Sequence, residues 1–141
     1  MENPIVVDTS IVMSWCFEDQ TNPYADAVLD HLSKATAIVP AIWTLEVVNV
    51  LLMAERRKRL KPADSIRFLS LLSQLPIVVE NTRAENSMKD LLALGRLSRL
   101  SSYDATYLDL AMRNRCPLAT LDKKLMEASR EIDVSIFIGS V

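Results

Sequence analysis

Four acidic residues of this 141-residue chain stand where an apolar stretch is broken. They are Asp8 in IVVDTSI, Glu46 in TLEVVNVLL, Asp104 in SSYDATYLDLA and Asp122 in LATLDKKL. A carboxylate beside Val, Ile and Leu loses hydration unless something compensates its charge. Gathered in one place, the four would also repel. At an effective dielectric of about 20, two carboxylates about 4 Å apart repel by about 4 kcal/mol. Such a cluster protonates, disperses or takes up a cation. Oxygen-only ligation suits Mg²⁺ or Mn²⁺ better than zinc. A cation of that kind lowers the pKa of a bound water and stabilises charge on phosphoryl oxygens. The chemistry implied is metal-assisted hydrolysis of a phosphodiester.

Each acid also has a plain structural explanation. Asp8 precedes Thr9-Ser10 and suits a helix N-cap. Asp104 falls in the first turn of a helix opened by Ser101 or Ser102, where the helix dipole favours a negative charge. Asp122 suits the N-cap of a last short helix, with Thr120 placed to hydrogen-bond it and fix its rotamer. Glu46 reads either as a first-turn glutamate or as an inward-facing group. Asn49, three residues on, shares its face and favours the inward reading. Asp109 is five residues from Asp104, on another face, and is expected in solvent.

The elements that must position these acids alternate short apolar runs with helical patterns. Strands are expected at Ile5-Val6-Val7, Ala37-Ile38-Val39, Ile77-Val78-Val79, Leu118-Ala119 and Val134 to Ile138. Between them, Thr9 and Ser10 offer caps for a helix from Ile11 to Phe17, and Asn22-Pro23 opens a second. A long helix runs from Ala41 to Lys58. Lys61-Pro62 opens another, with Ile66, Leu69 and Leu72 apolar, ending before Pro76. Thr82 to Arg99 is helical with Met88, Leu91, Leu92 and Leu94 or Leu97 on its apolar side. Ser101 and Ser102 cap a helix continuing to about Asn114, and a short helix from Lys123 completes the series. The pattern is that of an α/β domain around a mostly parallel sheet flanked by helices. In such sheets ligands bind outside the carboxyl ends of the strands, which puts Asp8 and Asp122 on one edge.

Bulk properties fit one compact domain over residues 1–141. Sixteen Lys and Arg against eighteen Asp and Glu give a net charge of −2. No overall basic character points to nucleic acid, although a local cluster is compatible with that balance. No apolar run is long enough for a membrane span and no signal-peptide pattern opens the chain, so a cytoplasmic protein is expected. Cys16 and Cys116 are read as free thiols. The two glycines, Gly95 and Gly139, make no phosphate-binding loop. His31 has no second histidine or cysteine at metal spacing and reads as a surface or helix-packing residue. Trp15, Phe17 and Trp43 read as core or interface. The basic run Arg56-Arg57-Lys58-Arg59, with Lys61, reads as a solvated helix end, with contact to RNA phosphates as the competing use.

In their contexts these residues resemble the PIN-domain ribonucleases, and among them the VapC toxins of bacterial toxin–antitoxin pairs. The resemblance spans nearly the whole chain. It runs through Asp8-Thr9-Ser10, Pro40-Ala41-Ile42-Trp43, Glu46 to Leu52, Arg56 to Leu60, Leu75-Pro76-Ile77, Ser102 to Leu108 and Pro117 to Leu125. It departs from the family pattern at Ser102, where relatives often carry threonine, and at Leu121, where many carry asparagine. The resemblance implies that Asp8, Glu46, Asp104 and Asp122 bind Mg²⁺ or Mn²⁺ and activate water for RNA cleavage. Asp8 and Asp104 would be direct ligands, and Glu46 and Asp122 would act partly through water. Thr9, Ser10 and Thr120 would orient those carboxylates. It also implies a homodimer that pairs with a small antitoxin. Two other readings stay open: a receiver-like domain accepting phosphate on Asp8, and a catalytically silent PIN scaffold.

Overall fold

The computed structural model describes residues 3–81 and 85–139. Strands β1 (Ile5–Val7), β2 (Ala37–Pro40), β3 (Ile77–Glu80) and β4 (Leu118–Ala119) form one sheet in the order β3-β2-β1-β4, with every pairing parallel. The helices are α1 (Thr9–Cys16), α2 (Pro23–His31), α3 (Ile42–Arg56), α4 (Pro62–Leu72), α5 (Glu85–Ser98), α6 (Ser102–Asn114) and α7 (Lys123–Glu131). A 3-10 turn covers Glu18–Gln20. The central strands β1 and β2 are wholly buried, as continuous apolar runs covered on both faces must be. The edge strand β3 is only half covered.

Two packing relations place the acids. Register pairs Val7 with Ala119, so Asp8 and Thr120, the next residues, emerge side by side at the carboxyl edge. The Asp8 N–H donates to the Ala119 carbonyl at 3.2 Å and continues the ladder to that point. Helix α6 packs against β1 and β2 through Ala105, Tyr107, Leu108 and Ala111. Asp104 lies in the first turn of that helix. Helix α1 packs on α3, the helix that carries Glu46.

The structure corrects several expectations. Helix α1 begins at Thr9, with Asp8 in the N-cap position, so Thr9 and Ser10 are helical residues and not caps. Helix α3 stops at Arg56 rather than Lys58, because Lys58 takes a left-handed φ of 60°. No fifth strand forms from Val134 to Ile138: Ile136 makes a single parallel bridge to Leu118. β4 is only two residues long, and the Tyr24 hydroxyl takes the Phe137 carbonyl at 2.8 Å. The expected helix start at Thr82 lies outside the described residues.

Helix faces depart most from the apolar pattern. On α4, Phe68 and Leu72 are buried but Ile66 is exposed. On α5, Leu94 is buried while Met88, Leu92 and Leu97 face outward. Helix α3 likewise exposes Leu45, Val48 and Leu52. An apolar stripe at helical spacing shows that something can cover it, not that this chain's own core does.

The minor candidates find ordinary places. Both thiols are free, Cys116 buried and Cys16 half-buried. His31 packs on Phe137 with ring centroids 4.9 Å apart. Phe17 and Trp43 are buried and Trp15 is half-buried. Arg59, from the basic run, lies over the Phe17 ring and pairs with Asp19 at 3.2 Å. No described helix is long and apolar enough to cross a membrane.

Candidate metal centre

Asp8 is the most confined of the four acids, with 6 % of its surface exposed. Its carboxylate caps nothing. Instead Ser10 donates to Oδ1 at 2.5 Å and Thr120 donates to Oδ2 at 2.6 Å. Burial pushes its carboxyl up to about 6, against the pull of those two hydroxyls, and the Asp122 charge adds to the rise. The capping explanation therefore fails for the residue it suited best.

Thr120 does not hold the Asp122 side chain as expected. Its hydroxyl donates to Asp8 and accepts from the Asp122 N–H at 2.9 Å. Asp122 is the N-cap of α7, its Oδ1 accepting from the N–H groups of Lys124 and Leu125 at 2.9 and 3.3 Å. Among the described residues no hydrogen bond reaches its Oδ2. Here the structural explanation and a site role coexist on different oxygens.

Glu46 lies in the second turn of α3, beyond the reach of the first-turn argument. It is half-buried, whereas Asn49 is exposed, so the inward-facing stripe of the two does not form. What holds Glu46 is a pair of hydroxyls. Thr9 donates to Oε1 at 2.9 Å, and the Tyr107 hydroxyl donates to the same oxygen. Sequence reasoning missed Tyr107 and gave it no role. The available signal was its position one turn after Asp104 on the same helix face.

Asp104 is half-buried in the first turn of α6, whose N-cap Ser101 accepts from the Asp104 N–H at 3.2 Å. Burial raises its carboxyl above the ordinary carboxylate range, and the charges of Asp122 and then Glu46 raise it further. Asp8 feels Asp122, and Asp104 feels both Asp122 and Glu46, so the four charges share one neighbourhood. Asp109 lies elsewhere, as expected, but it is half-buried and pairs with Arg113 at 2.8 Å rather than standing free in solvent.

The donor set is all oxygen, which matches a hard dication. Among the described residues no group of three or more acidic, histidine or cysteine side chains is close enough together to hold a metal ion by itself.

The chain belongs to the PIN domain family, whose profile it matches over residues 5–131. PIN domains are generally divalent-metal-dependent nucleases. The receiver-like alternative gives way to this assignment. A search of curated proteins found no match. Among solved structures, the fold is similar to PAE2754 from Pyrobaculum aerophilum, at 21% identity over 89% of this chain and 78% of that one, with a TM-score of 0.67. It is similar to VapBC2 from Rickettsia felis, solved with a DNA fragment from its promoter, at 10% identity over 97% and 99%, TM-score 0.69. It is also similar to Mycobacterium tuberculosis VapC20, a toxin that cleaves the sarcin–ricin loop, at 14% identity over 88% and 94%, TM-score 0.61.

Proposed function

We propose that the chain is a single PIN domain over residues 1–141 and a Mg²⁺-dependent endoribonuclease, with Mn²⁺ able to substitute. In this reading it is the toxin of a VapBC-type pair. The observation that carries the reading is buried Asp8, braced by Ser10 and Thr120 with no cationic partner among the described residues, in electrostatic reach of Asp122, which with Glu46 also acts on Asp104. Asp8 and Asp104 hold the cation directly, while Glu46 and Asp122 reach it partly through water. The bound cation supplies a water of lowered pKa and neutralises charge growing on the phosphoryl oxygens. The chain supplies orientation. Ser10 and Thr120 fix Asp8, Thr9 fixes Glu46, and the α7 N-terminus fixes Asp122 by one oxygen.

Purified protein should cut structured RNA with Mg²⁺ and not with a chelator, and Asp104→Asn should abolish the cut. Equal cleavage by wild type and variant would sink the assignment and leave a silent scaffold.

The exposed apolar faces of α3 and α5 support a homodimer, and the likeness to VapBC2 supports pairing with a small antitoxin. Light scattering at micromolar concentration should give twice the chain mass. A monomeric mass that persists at high concentration counts against the dimer.

A further inference from the structure

We infer that Tyr107 is a positioning residue for Glu46: with Thr9 it pins one carboxylate oxygen and so aims the other at the cation. The inference rests on the metal-centre reading above. Three helices meet at this point. Thr9 comes from the first residue of α1, Glu46 from α3 and Tyr107 from α6. Both hydroxyls converge on Oε1, and the two lie 2.9 Å from each other. Each hydroxyl has one proton to give. With both directed at Oε1, neither remains for a bond between Thr9 and Tyr107.

Among the described residues no hydrogen bond reaches Glu46 Oε2. Asp122 shows the same division, one oxygen tied to the protein and the other not. Glu46 has the longest stem of the four acids and the most rotamers to lose, so it gains most from such a tether. Tyr107 is also well braced. It is 1 % exposed, and its ring belongs to the face that seats α6 on the sheet. One helix thus carries both Asp104 and the clamp on Glu46, which ties their spacing to a single rigid element.

A buried tyrosine hydroxyl needs some partner, so a purely structural role must be separated from a positioning one. Tyr107→Phe keeps the ring and removes only the donor. Mn²⁺ binding to the full chain, read by the electron paramagnetic resonance of free Mn²⁺ without RNA, makes the distinction. Tyr107→Phe should weaken binding by about tenfold to a hundredfold. Glu46→Gln should weaken it too, and the double variant should be no worse than Glu46→Gln alone. In cleavage, Tyr107→Phe should raise the Mn²⁺ concentration for half-maximal rate while the rate at saturating Mn²⁺ recovers. A folded Tyr107→Phe that binds Mn²⁺ like wild type overturns the inference, as does an additive loss in the double variant. If wild type itself binds no Mn²⁺, the metal-centre reading fails and the inference falls with it, a result distinct from the other two. Should Tyr107→Phe lose its fold, Thr9→Val tests the same clamp from the other side. It should weaken binding and Thr9→Ser should restore it; unweakened binding in Thr9→Val overturns the clamp.

Discussion

Asp8→Asn is expected to switch off RNA cleavage and, at the same time, to make the metal-free protein more stable. The two effects share one cause. Asp8 is almost wholly buried, and burial lifts its carboxyl from 3.8 to about 6. Near pH 7.5, keeping that group ionised without a cation costs the fold about 3 kcal/mol, at 1.36 kcal/mol per pKa unit. Asparagine has nearly the same shape and no charge. It presents an NH₂ where Ser10 or Thr120 now donates, so one hydroxyl must turn, taking back about 1 kcal/mol. A net gain of about 1–2 kcal/mol should appear in urea unfolding with a chelator present. Cleavage loses a direct ligand and with it several kcal/mol of charge stabilisation. At about 1.4 kcal/mol per tenfold, that is about a thousandfold or more in rate. A variant that is less stable yet still cuts RNA would refute both halves.

The second large effect is on the pH dependence of stability. The raised carboxyl of Asp8 means that the folded state holds its proton more tightly than the unfolded state. Its stabilising contribution is complete below 3.8 and is lost as pH rises through about 6. Asp104 shifts in the same direction, by burial first and then by the charges of Asp122 and Glu46. Metal-free wild type should therefore gain stability as pH falls from about 7 towards 5. Mg²⁺ should reverse the trend by rewarding the ionised forms, and at a hundred times its dissociation constant it adds about 2.7 kcal/mol. Urea midpoints at three pH values, with chelator and with Mg²⁺, measure both. A chelator series that is flat, or that keeps its slope in Asp8→Asn, would remove Asp8 as the cause.

The strands were legible because both faces of β1 and β2 are covered, which leaves continuous apolar runs in the sequence. The end of α3 was not, because nothing in Lys58 announces a left-handed backbone. The exposure of the apolar side of α5 was not legible, since periodicity reports an apolar face without naming its cover. At the site, residue type and the strand-end rule suggested Asp8 and Asp122. The family resemblance, not spacing, brought in Asp104 and Glu46. The hydroxyl partners were the least readable part. Local pattern alone gave Thr120 to Asp122 and Thr9 and Ser10 to capping, because a hydroxyl has no range beyond its contact; the family resemblance gave all three to the carboxylates, where they stand. Only the register of Val7 with Ala119 reveals that Thr120 stands beside Asp8.

That contact has a further consequence for biosynthesis. Thr120 is separated from Asp8 by 112 positions, and Tyr107 from Thr9 by 98. An elongating chain therefore carries Asp8 and Glu46 long before two of the groups that brace them, Tyr107 and Thr120, exist. No amino-terminal fragment that ends before Thr120 can close these contacts, so termination at any earlier codon yields a peptide without the assembled centre. Synthesis past β4 and Asp122 acts as a gate on this chemistry, written into the order of the strands.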